Sequence, residues 1–170
     1  MLCCMAPRKI ENYLKKVYRT VKEIAPESIV TYVNYPTTEY LQLPFLDVVC
    51  FNVYLEQYEQ LEKYLARLQN IAADRPLLMG EIGLDCMRNG EEKQSEVLDW
   101  QIKLAFKMGC AGLSVFSWTD EWFRGGEEVY DWAFGLTDKQ RNPKPGLETV
   151  KKAFLHVPIK VYKEWPFFSI

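Results

Sequence analysis

The chain has 170 residues, of which 48% are hydrophobic and 26% charged, enough to bury one substantial core in an ordinary globular domain. A formal net charge of −2 offers no bulk attraction to nucleic acid or to an anionic membrane. No run of about 18 apolar residues occurs, so no membrane span is expected. From the N-terminus, Met1-Leu2-Cys3-Cys4-Met5-Ala6-Pro7 is too short and too weakly basic to read as a signal peptide. Residues 8–24 then repeat Ile10, Tyr13, Leu14, Val17, Tyr18, Val21 and Ile24 at three- and four-residue steps. That spacing predicts an amphipathic helix, stopped by Pro26.

A β-branched and aromatic strand is expected over 28–34, followed by a loop or short helix from Pro36. A second strand is expected over 46–55 (LDVVCFNVYL) and a second helix over 56–73, with Tyr58, Leu61, Leu65, Leu68 and Ala72 on its buried side. A third strand spans 76–82, and the segment 85–92 reads as a solvated turn. A third helix covers 91–108 with Gly109 as its stop. A fourth strand over 111–118, a long loop over 119–142 and a proline-opened helix over 143–154 complete the order. Strands that are apolar throughout and alternate with helices predict an α/β fold on a parallel sheet with right-handed crossovers. Residues 1–155 are expected to form this module and 156–170 a tail.

Five cysteines, Cys3, Cys4, Cys50, Cys86 and Cys110, form no C-x-x-C pair, and Cys50 and Cys110 lie in apolar runs. They read as reduced core residues in a reducing, cytoplasmic setting. The sole histidine is His156, so neither a Ser-His-Asp apparatus nor a His-rich zinc site is expected. No metal or organic cofactor is implied, and the available chemistry runs on carboxylates, Tyr, Lys or Arg.

The stretch Pro76-Leu77-Leu78-Met79-Gly80-Glu81-Ile82-Gly83 organises the rest. It is a buried strand ending in a carboxylate, and the carboxyl ends of parallel strands are where sites are built. Strict alternation puts Met79 and Leu77 on the face of Glu81. It groups Tyr54, Asn52 and Cys50 on the second strand, and Trp118, Phe116, Ser114 and Gly112 on the fourth. A phenol, a carboxylate and an indole then stand at neighbouring strand ends, parts that glycoside cleavage uses. The plainer readings stay open: Glu81 as an acid that ends a strand, Tyr54 as a half-buried tyrosine, Trp118 as core. The loop that follows carries Trp122, Phe123, Tyr130, Trp132 and Phe134 among acids. It suits either carbohydrate or a plug over the open end of the sheet.

The succession VCFNVYLE (49–56), PLLMGEIGLD (76–85) and GLSVFSWTDEW (112–122) resembles the last three barrel strands of clan A glycoside hydrolases. It looks most like the family 2-like modules related to β-galactosidases and β-glucuronidases. The resemblance implies a (β/α)8 barrel that cleaves β-glycosides with retention. It implies Glu81 as nucleophile, Tyr54 as its hydrogen-bond donor and Trp118 as the plate under the sugar. Asn52, Asp120, Glu121 and Trp122 then face the substrate. The chain departs from the pattern at one point: no Asn-Glu pair occurs, and the family's acid/base glutamate follows an asparagine on the fourth strand. A whole barrel takes about 250 residues. The expected fold is therefore a TIM-barrel half corresponding to strands five to eight. The expected partners are carbohydrate and either a second copy of the chain or the missing half-barrel. The tail, ending Glu164-Trp165-Pro166-Phe167-Phe168-Ser169-Ile170, resembles a segment that leads into a nucleotide-sugar glycosyltransferase in multidomain relatives of the module. A non-catalytic carbohydrate-binding module attached to such an enzyme is the alternative.

Overall fold

The computed structural model describes residues 7–156. Helix α1 (Pro7–Ile24) leads into strand β1 (Thr31–Asn34), a short 3-10 turn (Pro36–Thr38) and strand β2 (Val48–Asn52). Helix α2 (Tyr58–Ala72) and strand β3 (Leu77–Ile82) follow. Then come a short helix α3 (Cys86–Asn89), helix α4 (Glu91–Lys107) and strand β4 (Gly112–Val115). A two-residue hairpin, β5 (Phe123–Arg124) and β6 (Glu127–Glu128), interrupts the long loop before helix α5 (Pro145–His156). The four main strands form one parallel sheet in the order β1-β2-β3-β4, the α/β half-barrel arrangement expected.

One side of this sheet carries the core. Val49, Phe51 and Val53 from the second strand segment and Leu77, Met79 and Ile82 from the third pack on Leu61, Leu65 and Leu68 of α2 and Leu98 and Ile102 of α4. These side chains are almost fully buried, each stabilising by roughly 1.5–3 kcal/mol. A smaller cluster joins Ile10 of α1 to Leu41, Leu43 and Leu46 of the loop after β1. That loop is tied to α2 by a two-pronged pair, Arg67 Nε to Glu39 Oε2 at 3.1 Å and Arg67 Nη2 to Glu39 Oε1 at 2.7 Å.

Two expectations are corrected. Leu77 and Met79 do not share the face of Glu81. The register runs Phe51↔Met79 and then Asn52↔Glu81, so Gly80 is an extra residue in β3, a β-bulge. The bulge puts Gly80 and Glu81 consecutively on the inner side, with Cys50, Asn52 and Leu78. A Cβ at Gly80 would lie 2.7 Å from both Asn52 Oδ1 and Cys50 Sγ, which is why this position takes glycine. The segment after β3 is exposed over 87–92, as expected, but its first residue is not. Asp85 is buried, caps α3 by accepting from Met87 N–H at 3.0 Å, and accepts from Ala133 N–H at 3.2 Å across the molecule.

Strands β1, β2 and β4 are each shorter than the sequence pattern. At the start of β1, Val30 N–H donates to the Asp47 side chain at 2.8 Å. Beyond β4, Ser117 and Trp118 leave β3 and bond to the returning segment: Ser117 N–H to Phe134 O at 3.0 Å, Thr137 N–H to Trp118 O at 3.0 Å. Gly109, at φ +78°, ends α4 as expected. No helix among the described residues is long and apolar enough to cross a membrane.

Candidate functional site

The inner face of the sheet converges on Glu81. Beyond the last residue of β2, Val53 N–H donates to the Glu81 carbonyl at 2.9 Å, which keeps the two strand ends in step. That step places the Tyr54 hydroxyl against the Glu81 carboxylate, to which it donates a hydrogen bond at Oε2. The Tyr54 ring stands edge-on to Phe134 at 5.5 Å and to Phe116 at 6.2 Å, so packing fixes the phenol. Burial first, then the hydrogen bond to Glu81 and its negative charge, push the Tyr54 phenol well above its ordinary 10.0. The phenol is thus a donor over the whole neutral range. The Cys50 thiol, on the same face, is raised by burial and then by the Glu81 charge.

The structure brings Asn52, Tyr54 and Glu81 together on adjacent strands. Asn52 Oδ1 is buried beside Gly80 without a hydrogen-bond partner. Trp118 stands past the end of β4, on the ribbon with residues 134–137, and is 60% exposed. Trp122 is packed inward, 5.4 Å from Phe116 and 5.0 Å from Trp132. Glu121 is at the surface, paired with Arg141. The aromatic loop divides into a packed part and an exposed part. Trp122, Trp132 and Phe134 close over Phe116, while Trp118, Phe123 and Tyr130 remain exposed.

Asp120 is used within the fold. Its carboxylate pairs with Lys144 at 2.6 Å and accepts from Gly135 N–H at 2.8 Å, with both charged side chains nearly buried. Lys144 Nζ also donates to Cys86 Sγ at 3.0 Å, so one ammonium ties the loops after β3 and β4. Burial pulls the Lys144 pKa down, but the bonds and charges of Asp120 and Cys86 outweigh it and leave the pKa above 10.5. Sequence reasoning missed Lys144. The available signal was an acid inside an aromatic loop, which needs a counter-charge. Among the described residues no cluster of three or more His, Cys, Asp or Glu is arranged to hold a metal ion.

No family model and no curated protein matches the sequence. Solved structures do match, and they show the class of fold, a parallel α/β sheet forming part of a TIM-type barrel. The chain is similar to a GH2 β-galacturonidase from Eisenbergiella tayi bound to galacturonate (TM-score 0.69, 22% identity), over 85% of this chain and 30% of that one. It is similar to an FMN-binding β-glucuronidase from Facaelibacterium prausnitzii L2-6 (TM-score 0.75, 15% identity), over 90% of this chain and 27% of that one. A thermostable mutant of the xylanase Xyn10A from Cellvibrio japonicus matches with TM-score 0.61 and 14% identity, over 84% of this chain and 54% of that one. The chain therefore spans about half or less of the length of these proteins, and at such identities the likeness establishes the fold alone.

Proposed function

We propose that the chain carries the nucleophile half of a retaining β-glycosidase site, completed by a second half-barrel that supplies the acid/base. One observation carries this reading: a carboxylate at a parallel strand end holds a hydrogen bond from a packed, protonated tyrosine on the neighbouring strand. Glu81 attacks the anomeric carbon and forms a glycosyl ester as the C–O bond to the aglycone breaks, the aglycone oxygen taking its proton from the acid of the second half-barrel. Water, deprotonated by that same group, then hydrolyses the ester and frees Glu81, while Tyr54 holds the carboxylate in position. Trp118 offers its exposed face to the sugar. Asn52, Glu121 and Trp122 line the approach, and Asp120 acts through its pair with Lys144 to hold the loop that presents Trp118. Neither metal nor organic cofactor enters this chemistry. The module is assigned to residues 1–155, of which 1–6 lie outside the described residues. Its link to a glycosyltransferase through the tail falls on 157–170, outside the described residues. Among the described residues, Cys50, Cys86 and Cys110 are free thiols, which favours a reducing, cytoplasmic compartment.

Retention uses two carboxyls about 5–5.5 Å apart, and only Glu81 is assigned. General acid assistance contributes roughly 10²–10⁴-fold. The purified chain should therefore leave alkyl β-glycosides intact yet release dinitrophenol from a dinitrophenyl β-glycoside, whose leaving group departs without a proton. Glu81→Gln should abolish that release. Robust turnover of an unactivated β-glycoside by the chain alone would overturn the half-site reading. The exposure of Trp118, Phe123 and Tyr130 favours a second reading, a carbohydrate-binding module without chemistry. Glycan-array binding with no dinitrophenol release from wild type would select it.

A further inference from the structure

We infer that Cys86 and Lys144 form a redox-sensitive covalent site, in which hydrogen peroxide oxidises the thiol and the lysine amine then closes a sulfur–nitrogen bond to it. This chemistry asks nothing of Glu81. It rests on the placement of a partly exposed thiol against a buried amine.

Cys86 Sγ accepts a hydrogen bond from Lys144 Nζ at 3.0 Å, between positions 58 apart in sequence. The lysine side chain is 4% exposed, and its Nζ is also held by the Asp120 carboxylate at 2.6 Å. Both backbones are anchored to one segment: Cys86 N–H donates to Ala133 O at 2.9 Å, and Lys144 N–H to Leu136 O at 2.9 Å. The fold therefore presents sulfur and nitrogen to each other, and the entropy of bringing them together is already spent. Among the described residues the other free thiols, Cys50 and Cys110, are 2% and 9% exposed. Burial raises Cys110 to about 11, and burial followed by the Glu81 charge raises Cys50. Burial raises the Cys86 thiol as well, but there the Lys144 hydrogen bond and charge pull the other way. Peroxide oxidises the thiolate, which a neighbouring ammonium stabilises.

In the first step Cys86 Sγ attacks one peroxide oxygen. An S–O bond forms, the O–O bond breaks, and the second oxygen leaves as water with the thiol proton. Sulfur gives up an electron pair and peroxide takes it. In the second step Lys144 Nζ attacks the sulfur of this sulfenic acid. The N–S bond forms as the S–O bond breaks, with no further oxidant. Nitrogen enters as an ammonium with three protons and keeps one. One leaves with the departing hydroxide as water, and the Asp120 carboxylate accepts the other and passes it to solvent. The product joins the segment after β3 to the start of α5 by a covalent bond, and Asp120 loses the cation opposite it. A free thiol reverses the link by attacking Sγ and expelling the amine, and a second thiol resolves the mixed disulfide.

The test exposes the full chain to hydrogen peroxide and maps its peptides by mass spectrometry, with a 1,3-dione in a parallel sample to trap sulfenic acid. The wild type should yield one cross-linked pair, Cys86 to Lys144, lighter by two hydrogen atoms than the separate peptides. Dithiothreitol should return both peptides unmodified. Lys144→Arg keeps a cation beside Asp120 but has no amine to close the bond. Its Cys86 should capture more of the dione than the wild type does, and on longer exposure should go on to sulfinic acid, which dithiothreitol does not reverse. Cys86→Ser, which keeps a hydroxyl for Lys144 to donate to, should form no link. Urea unfolding checks that both variants are folded, and the wild-type peptide map decides the matter if Lys144→Arg is not. A Cys86 that remains a thiol under peroxide, a cross-link to any other residue, or equal sulfinic acid in wild type and folded Lys144→Arg would overturn the inference.

Discussion

Tyr54 keeps its hydroxyl on Glu81 while its ring packs against Phe134, so the donor can be removed without disturbing the packing. A hydrogen bond to a charged group contributes about 1.5–3 kcal/mol, and Tyr54→Phe should slow dinitrophenol release by roughly 10–100-fold with little change in melting temperature. Lys144 is a different kind of residue, structural and nearly buried. Lys144→Met leaves the Asp120 carboxylate without its partner and should destabilise the fold by about 3–5 kcal/mol in urea unfolding. Because the folded Lys144 pKa is raised, its contribution is complete below about 10.4 and is lost as pH rises through the folded value. Alkaline destabilisation above that range should therefore be smaller in Lys144→Met than in the wild type. Glu81 and Tyr54 were legible because they sit at strand ends, which apolar runs reveal. Lys144 and Asp85 were not, because their burial depends on which distant loop covers them.

At the scale of elements, the order of strands and helices follows from hydrophobic periodicity alone, and the parallel sheet from strands that are apolar throughout. The faces do not follow, because one extra residue reverses them. That residue is Gly80. As the bulge, it sends Leu77 and Met79 to the helices and leaves Leu78 on the inner side. This assignment has a direct check. Met79→Ala should cost about 2–5 kcal/mol, as for other fully buried side chains, and Leu78→Ala distinctly less. Equal losses would mean that both residues are core. Similarly, Ser117 and Trp118 read as strand because they continue an apolar run, yet their backbone bonds go to residues 134–137. Only the folded loop supplies that competing partner.

At the scale of the molecule, the module is half of a barrel whose inner face gathers a carboxylate and its tyrosine donor, with an exposed tryptophan on the loop beyond β4. The half-barrel was legible from three strand motifs and from a length too short for eight β/α units. What completes it was not, because free edges specify pairing geometry without specifying sequence. The central claim is that Glu81 is a nucleophile, and it can be tested on the chain as it stands. The purified protein is exposed to a fluorinated dinitrophenyl β-glycoside, whose leaving group needs no acid and whose glycosyl ester turns over slowly, and the modified peptide is located by mass spectrometry. The account predicts one glycosyl adduct on Glu81, absent from Glu81→Gln and formed more slowly in Tyr54→Phe. An adduct on any other carboxylate, or none at all on the wild-type chain, would contradict it.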